Sequence, residues 1–134
     1  MPDFIIRFLV AGALFAVIDG VWLSFVANKL YRSQLGSLLL EKPNLPAAIL
    51  FYLVFLVGLV VFVINPAVSS NDWKVALGLG ALFGFVTYAT YDLTNLATLK
   101  GYPLTITIVD LVWGTVLTAT VSVAAFFILQ RIAN

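Results

Sequence analysis

The chain has 134 residues, of which 63% are hydrophobic and only 10% are charged, and its mean hydropathy is +1.11. These proportions exclude a soluble globular domain, in which about a quarter of the residues are charged. The net charge of +1 offers no electrostatic basis for a nucleic-acid partner, and none is expected. Because cysteine and histidine are both absent, thiol chemistry and Cys/His zinc or haem sites are excluded, and we predict neither a metal nor a cofactor.

Four apolar stretches are each long enough to cross a bilayer, which takes about 20 residues as a helix. The sequence therefore predicts an all-α integral membrane four-helix bundle, multi-pass, with the lipid bilayer as its surroundings. We expect one transmembrane domain over residues 1–134. The predicted spans lie at residues 4–28, 46–64, 75–99 and 104–129.

The first span carries small residues at every fourth position, at Gly12, Ala16 and Gly20. Such spacing lets another backbone approach closely, so this face is predicted to pack against a neighbour. Asp19 borders the face and should therefore point into the bundle.

The segment Ser33–Asn44 is too short to span the membrane. Its leucines and its Glu41-Lys42 pair favour a short interfacial helix between spans one and two, which Pro43 and Pro46 would end. A plain connecting loop is the alternative.

The second span, from Pro46 to Ile64, is apolar throughout, and Tyr52 is its only polar side chain. This composition predicts a lipid-facing buttress without chemistry. Asn65-Pro66 is predicted to end the helix, since proline interrupts the helical hydrogen bonds.

The third and fourth spans carry matching small and polar stripes. In span three Ala76, Gly80, Gly84, Tyr88 and Asp92 follow one another at intervals of four, which keeps them close to one helix face. That face should pack against a neighbouring helix. The stripe in span four consists of Asp110, Gly114, Thr118 and Ser122.

Three acids fall at nearly one depth in the membrane. The Lys100–Pro103 turn makes spans three and four antiparallel, so Asp92 and Asp110 each lie about 10 Å from it, and Asp19 lies about 12 Å from the same side. A charged residue at a helix centre costs about 2.5–3.5 kcal/mol. Because no Lys or Arg lies in a span at that depth, we expect a proton or a bound cation to neutralise the acids.

Aromatic residues accompany the acids. Trp22 follows Asp19 by three residues, Trp113 follows Asp110 by three, and Asn95 stands at that offset from the third acid. Aromatic rings beside carboxylates suit an amine or a quaternary ammonium group. Tyr31 and Tyr102 are instead predicted to be belt residues at the membrane interface. The predicted ligand or proton site consists of Asp19, Trp22, Tyr88, Asp92, Asn95, Asp110 and Trp113.

We therefore expect a membrane protein that binds or transports a cation, a proton, or an amine-bearing lipid or small molecule. One alternative is a lipid-modifying enzyme with Asp92 and Asp110 as its acid and base. Another is a structural or assembly subunit, for which a homodimer through the small-residue faces is the nearest version. The plainest alternative is that the acids are protonated and only join helices, although such bonds contribute about 0.6 kcal/mol on average.

The chain resembles a family of small bacterial membrane proteins of unknown function with four predicted spans. Three segments carry the resemblance, which covers most of the chain: Asp19-Gly-Val-Trp22, Tyr91–Lys100 and Asp110-Leu-Val-Trp113. The resemblance implies four-helix topology and a place in the bacterial inner membrane, and it brings no activity. The architecture is also similar to that of small multidrug antiporters, although this chain has a longer first connection and additional acids.

Overall fold

The computed structural model describes residues 2–38 and 44–133, and helices make up nearly all of them. The helices are α1 Pro2–Trp22, α2 Asn28–Leu35, α3 Leu45–Leu59, α4 Asn65–Ser70, α5 Trp73–Thr98 and α6 Leu104–Ala133. Four helical stretches are long and apolar enough to cross a membrane, which confirms the all-α membrane bundle. These spans, one to four, are Asp3–Leu38, Leu45–Ser70, Trp73–Thr98 and Leu104–Ala133.

Spans one and two are longer than predicted because π-helical turns join their helices end to end. The turn Leu23–Ala27 joins α1 to α2, and the turn Val60–Ile64 joins α3 to α4. Pro66, predicted to end span two, instead lies in the first turn of α4. A proline is tolerated there because its missing amide hydrogen is not needed at that position. The helix therefore continues to Ser70.

The region predicted as an interfacial helix begins as an extension of span one. Ser33 lies inside α2, which ends at Gly36, where φ is 51° and glycine is the favoured residue. One 3₁₀ turn follows at Gly36–Leu38. The rest of the predicted interfacial helix, residues 39–43, lies outside the described residues.

Polar side chains and a glycine define the connections between the later helices. Asn44 accepts a hydrogen bond from the Ala47 amide at the start of α3, and Asp72 accepts one from the Lys74 amide, at 2.9 Å, at the start of α5. Both are N-caps, which satisfy amides that have no partner within the helix. Between α5 and α6, Gly101 adopts a φ of 75°, which permits the tight turn. The two long helices are thus antiparallel neighbours.

The small-residue stripes of spans three and four pack against each other, as the sequence predicted. A Cβ atom added to Gly80 would lie 2.6 Å from the Ser122 hydroxyl, and one added to Gly84 would collide with the Gly114 carbonyl and Thr118. Such close approach lets backbones pack by van der Waals contact where no hydrophobic effect is available. The face of α5 that carries Asp92 is therefore held against α6.

The small-residue face predicted for span one is not its packing face. Ala11 and Phe15 are buried instead, and Ala16 is exposed. The bulky Phe15 ring packs 5.1 Å from the Phe55 ring of span two, and this aromatic contact sets the rotation of α1. A Cβ on Gly20 would meet nothing within 4 Å.

Span two is part of the core, so its prediction as a lipid-facing buttress was wrong. Leu59, Val60 and Ile64 are almost completely buried against Leu117 and other residues of the core cluster. Only the opposite face of the helix is exposed. The uniformly apolar sequence concealed this division because a helix that is apolar all round has no periodicity to show which face is buried.

Gly84→Leu should destabilise the bundle, since the new Cβ would meet the Gly114 backbone rather than a flexible side chain. Overpacking costs about 1–3 kcal/mol, and the upper end applies to contact with backbone. The matched control is Gly78→Leu on the same helix, where an added Cβ meets nothing within 4 Å. Thermal unfolding of the purified variants in one detergent should show a lower midpoint for Gly84→Leu only; equal midpoints would contradict this packing.

Candidate functional site

A cavity of about 570 Å³ lies in the half of the bundle nearer the Gly101 turn. All four spans contribute to its lining, and so does the turn between spans three and four. All five tyrosines of the chain line it. The full lining is Asp19, Trp22, Leu23, Tyr31, Leu35, Phe51, Tyr52, Thr87, Tyr88, Tyr91, Tyr102, Ile106, Asp110 and Trp113.

Asp19 is the carboxylate that joins the most helices in this cavity. Tyr52 of span two donates its hydroxyl to Asp19 Oδ2 at 2.9 Å, and Trp113 of span four donates its indole N–H to Asp19 Oδ1 at 3.1 Å. The carboxylate is only 6% exposed. Donors at both oxygens stabilise a negative charge in an apolar setting. One side chain thus binds spans one, two and four together.

Trp22 and Trp113 form a stacked pair on the cavity wall. Their ring centroids are 4.3 Å apart and their planes are within 10° of parallel. The sequence placed each tryptophan beside the acid three residues before it, yet the indole that reaches Asp19 is the one from span four. The pair presents aromatic surface next to that carboxylate.

The π-helical turn in span one brings Tyr31 to Asp110. In an unbroken α-helix Tyr31 would lie about 120° round from Asp19, at 100° per residue. A π turn takes in one extra residue, which reduces the angle to about 20°. The Tyr31 hydroxyl consequently faces the cavity and donates to Asp110 Oδ1.

Asp92 lies behind the cavity wall rather than in it. The side chain is fully buried, and Tyr102, which does line the cavity, donates its hydroxyl to Asp92 Oδ1 at 2.7 Å. Burial raises the pKa of the Tyr102 hydroxyl above its usual range, and the bond to Asp92 adds to the shift. Tyr102 is therefore a neutral donor at physiological pH. Asn95 is half-buried near the end of α5, where its carbonyl accepts the Leu99 amide.

The structure brings together five of the seven site residues predicted from the sequence. Asp19, Trp22, Tyr88, Asp110 and Trp113 line one cavity, whereas Asp92 and Asn95 do not. Asp92 thus stands outside the lining that Asp19 and Asp110 share, and its carboxylate accepts the Tyr102 hydroxyl instead. An acid and base pair of Asp92 and Asp110 has no shared cavity in which to act.

The site residues that sequence reasoning missed are tyrosines. Tyr31 and Tyr102 were predicted as interfacial belt residues and Tyr52 as part of an inert helix, yet each donates to an acid. One signal in the sequence could have revealed them. All five tyrosines fall on the same side of the predicted bundle, in or next to the halves of the spans that also contain the acids.

The ionisable residues of the lining are acids and tyrosines. Among those described, two are acids and none is a lysine or an arginine. Within residues 2–38 and 44–133, no group of three or more Asp, Glu, His or Cys side chains lies close enough to hold a metal ion. The polar groups of the cavity are therefore two carboxyl groups, tyrosine hydroxyls and indole N–H groups, set among aromatic faces.

Comparison with known families identifies the chain. A family model described as "Predicted membrane protein (DUF2177)" matches residues 4–127. The chain belongs to this family. The match confirms the resemblance predicted from the sequence. Together with the four candidate spans, it shows that this DUF2177 chain is an integral, multi-pass membrane protein. No curated protein and no solved structure matches this DUF2177 chain.

Tyr52→Phe should lower the stability of this DUF2177 protein by removing the donor to Asp19 Oδ2. Interhelical hydrogen bonds in membranes contribute about 0.6 kcal/mol, with a maximum near 1.7, and the charged acceptor favours the upper part of that range. A double-mutant cycle with Asp19→Leu, which has a similar size and no acceptor oxygen, should give a coupling of about 1 kcal/mol in the unfolding free energies. Tyr91→Phe, which changes a 60% exposed ring of the same cavity, is the control. Zero coupling would show that the pair contributes nothing.

Proposed function

We propose that this membrane protein binds an organic cation, an amine or a quaternary ammonium group, in the cavity between its four spans. One observation carries the proposal: two carboxylates, five tyrosines and two stacked tryptophans line a single intramembrane cavity. Transport of such a cation would use the same site. We also propose the bacterial inner membrane as its location, which the resemblance to a family of small bacterial membrane proteins supports.

Charge supports a cation as the ligand. A negative charge in the hydrocarbon region is expensive, and the described partners of Asp19 and Asp110 are neutral hydroxyl and indole donors. When the two carboxyl groups are ionised, those donors orient them without balancing their charge. A positively charged ligand supplies the missing charge, and the apolar surroundings strengthen its attraction to both acids.

The aromatic lining favours an organic cation over a small hydrated one. A cation within about 6 Å of an indole or phenol face gains about 0.5–2 kcal/mol, and more when it is desolvated. Quaternary ammonium groups keep no tight water shell and are recognised by aromatic cages. A cavity of about 570 Å³ is also larger than a bare metal or a proton requires.

The alternative functions have less structural support. The enzyme hypothesis needs Asp92 and Asp110 in one cavity, which the geometry does not provide. For a homodimer, the face containing Gly80 and Gly84 is already occupied by span four of the same chain. Dimerisation through the remaining small-residue face of span one stays a prediction.

Asp19→Asn and Asp110→Asn should each weaken the binding of tetramethylammonium at least tenfold, or about 1.4 kcal/mol. The amide keeps the shape of the side chain and removes its charge. Calorimetric titration of the protein in uncharged detergent measures the affinity.

Two control variants, each with another acid replaced, separate an effect at the cavity from a general effect of losing one negative charge. Asp3→Asn changes an exposed acid at the far end of span one, and Asp92→Asn changes the buried acid outside the cavity. Both variants should stay within threefold of the unmodified protein. Equal affinity in all five proteins, or a loss in Asp3→Asn as large as in Asp19→Asn, would remove the proposal.

A further inference from the structure

A second cavity adjoins the first on the other side of Asp19 and Tyr52. It has a volume of about 330 Å³ and lies between spans one and two, and we call it the tail groove. We infer that the ligand is an amphiphile whose cationic head occupies the larger cavity and whose single alkyl chain lies in the tail groove; this inference rests on the proposed function. The tail groove is lined by Gly12, Phe15, Ala16, Asp19, Gly20, Leu23, Tyr52 and Leu56.

The two cavities share part of their walls. Asp19, Leu23 and Tyr52 line both of them. The head of a ligand bound at Asp19 is therefore next to the opening of the tail groove. Apart from the Asp19 carboxylate and the Tyr52 hydroxyl at this junction, the side chains of the groove are aliphatic or aromatic hydrocarbon.

At Gly20 no side chain of the described residues fills the tail groove, since an added Cβ would meet nothing within 4 Å. Gly12 is closely covered by span two, because an added Cβ there would lie 3.2 Å from a Leu56 methyl group. The groove is therefore open at Gly20, next to the larger cavity, and narrow at Gly12. A groove with hydrocarbon walls, facing the lipid, accommodates hydrocarbon.

The tail groove runs in the direction that a lipid chain takes. From Gly12 the groove extends about 12 Å along the helix to Gly20, beside the larger cavity, which lies toward the Gly101 turn. An amphiphile in the bilayer also lies along the membrane-spanning helices, with its head toward the surface and its chain toward the midplane. The larger cavity, which we call the head cavity, and the tail groove that leads away from it are arranged in the same way as the head and the chain of such an amphiphile.

The shape of the tail groove suits an extended alkyl chain. The groove offers about 330 Å³, and its walls come from two helices rather than one exposed face. A single extended chain is narrow enough to enter between them.

Charge selects the class of amphiphile. Two acids and no described basic residue line the head cavity, so a phosphate group would be repelled and would find no cationic partner there. Zwitterionic and anionic phospholipids are disfavoured for this reason. The ligand class that fits both cavities is a single-chain amine or quaternary ammonium compound without phosphate.

Photolabelling in lipid nanodiscs tests the inference with a defined probe. The probe is dodecyltrimethylammonium with a diazirine on its terminal carbon, and mass spectrometry locates the adducts. We expect adducts on residues 12–20 and on Leu56. Excess tetramethylammonium, which occupies only the head cavity, should reduce them at least fivefold, whereas dodecylphosphocholine should not.

Gly20→Leu blocks the tail groove without touching the head cavity, and it should reduce the same adducts at least fivefold. Gly78→Leu is the matched control, since its Cβ also meets nothing within 4 Å but lies on span three. Both variants should bind tetramethylammonium like the unmodified protein, which shows that each is folded and that its head cavity is intact.

The contrary outcomes are distinct. If tetramethylammonium does not bind the unmodified protein, the proposed function fails and this inference fails with it. If tetramethylammonium binds but does not reduce the adducts, and Gly20→Leu does not reduce them either, the groove holds only boundary lipid. This inference alone is then overturned. If dodecylphosphocholine reduces the adducts as much as tetramethylammonium does, the ligand class is not limited to cations without phosphate. Adducts that are absent from the groove, together with a crosslinked dimer that Gly20→Leu abolishes, would assign the face to a second copy.

Discussion

The structure depends on a carboxylate that is held inside the membrane by donors from other helices. Asp19 receives the Tyr52 hydroxyl and the Trp113 indole, so spans one, two and four meet at one buried acid. An acid without such partners would be too costly to keep in hydrocarbon. The same bonds fix its position on the wall of the cavity, so the stability of the bundle and the proposed ligand binding depend on one group.

The rest of the bundle provides the rigid surroundings for this arrangement. Glycines on spans three and four permit backbone contact, which holds α5 and α6 as a close antiparallel pair. That pair places Asp110 and Trp113 opposite span one. The π turn Leu23–Ala27 then rotates the end of span one so that Tyr31 reaches Asp110. Packing and hydrogen bonding therefore act at different levels: the glycines set the spacing of the helices, and the tyrosines and tryptophans set the positions of the acids.

The sequence was sufficient for the fold class and for the contact between spans three and four, because long apolar stretches and glycines at intervals of four have few structural alternatives. It failed for the face of span one, where Phe15 rather than the small residues makes the contact. It did not indicate that Asp92 lies outside the lining of the shared cavity, since equal depth does not establish equal direction around a helix. The hydrogen-bond partners of the acids could not be predicted from neighbouring residues in the sequence. A π turn shifts the helical phase without a residue pattern that marks it, and Tyr52 lies in a span whose uniform hydrophobicity shows no inward face.

The central claim, that Asp19 and Asp110 together hold a positive organic group inside the bilayer, is tested most directly by locating such a group. Tetramethylarsonium is a quaternary cation whose arsenic atom scatters anomalously, and a crystal structure of the protein grown with it in a lipid phase would fix its place. We expect one anomalous peak in the larger cavity, within contact distance of both carboxylates and of the Trp22–Trp113 pair. A cavity without a peak, in which the two carboxylates face different surfaces of the bundle, would contradict the claim.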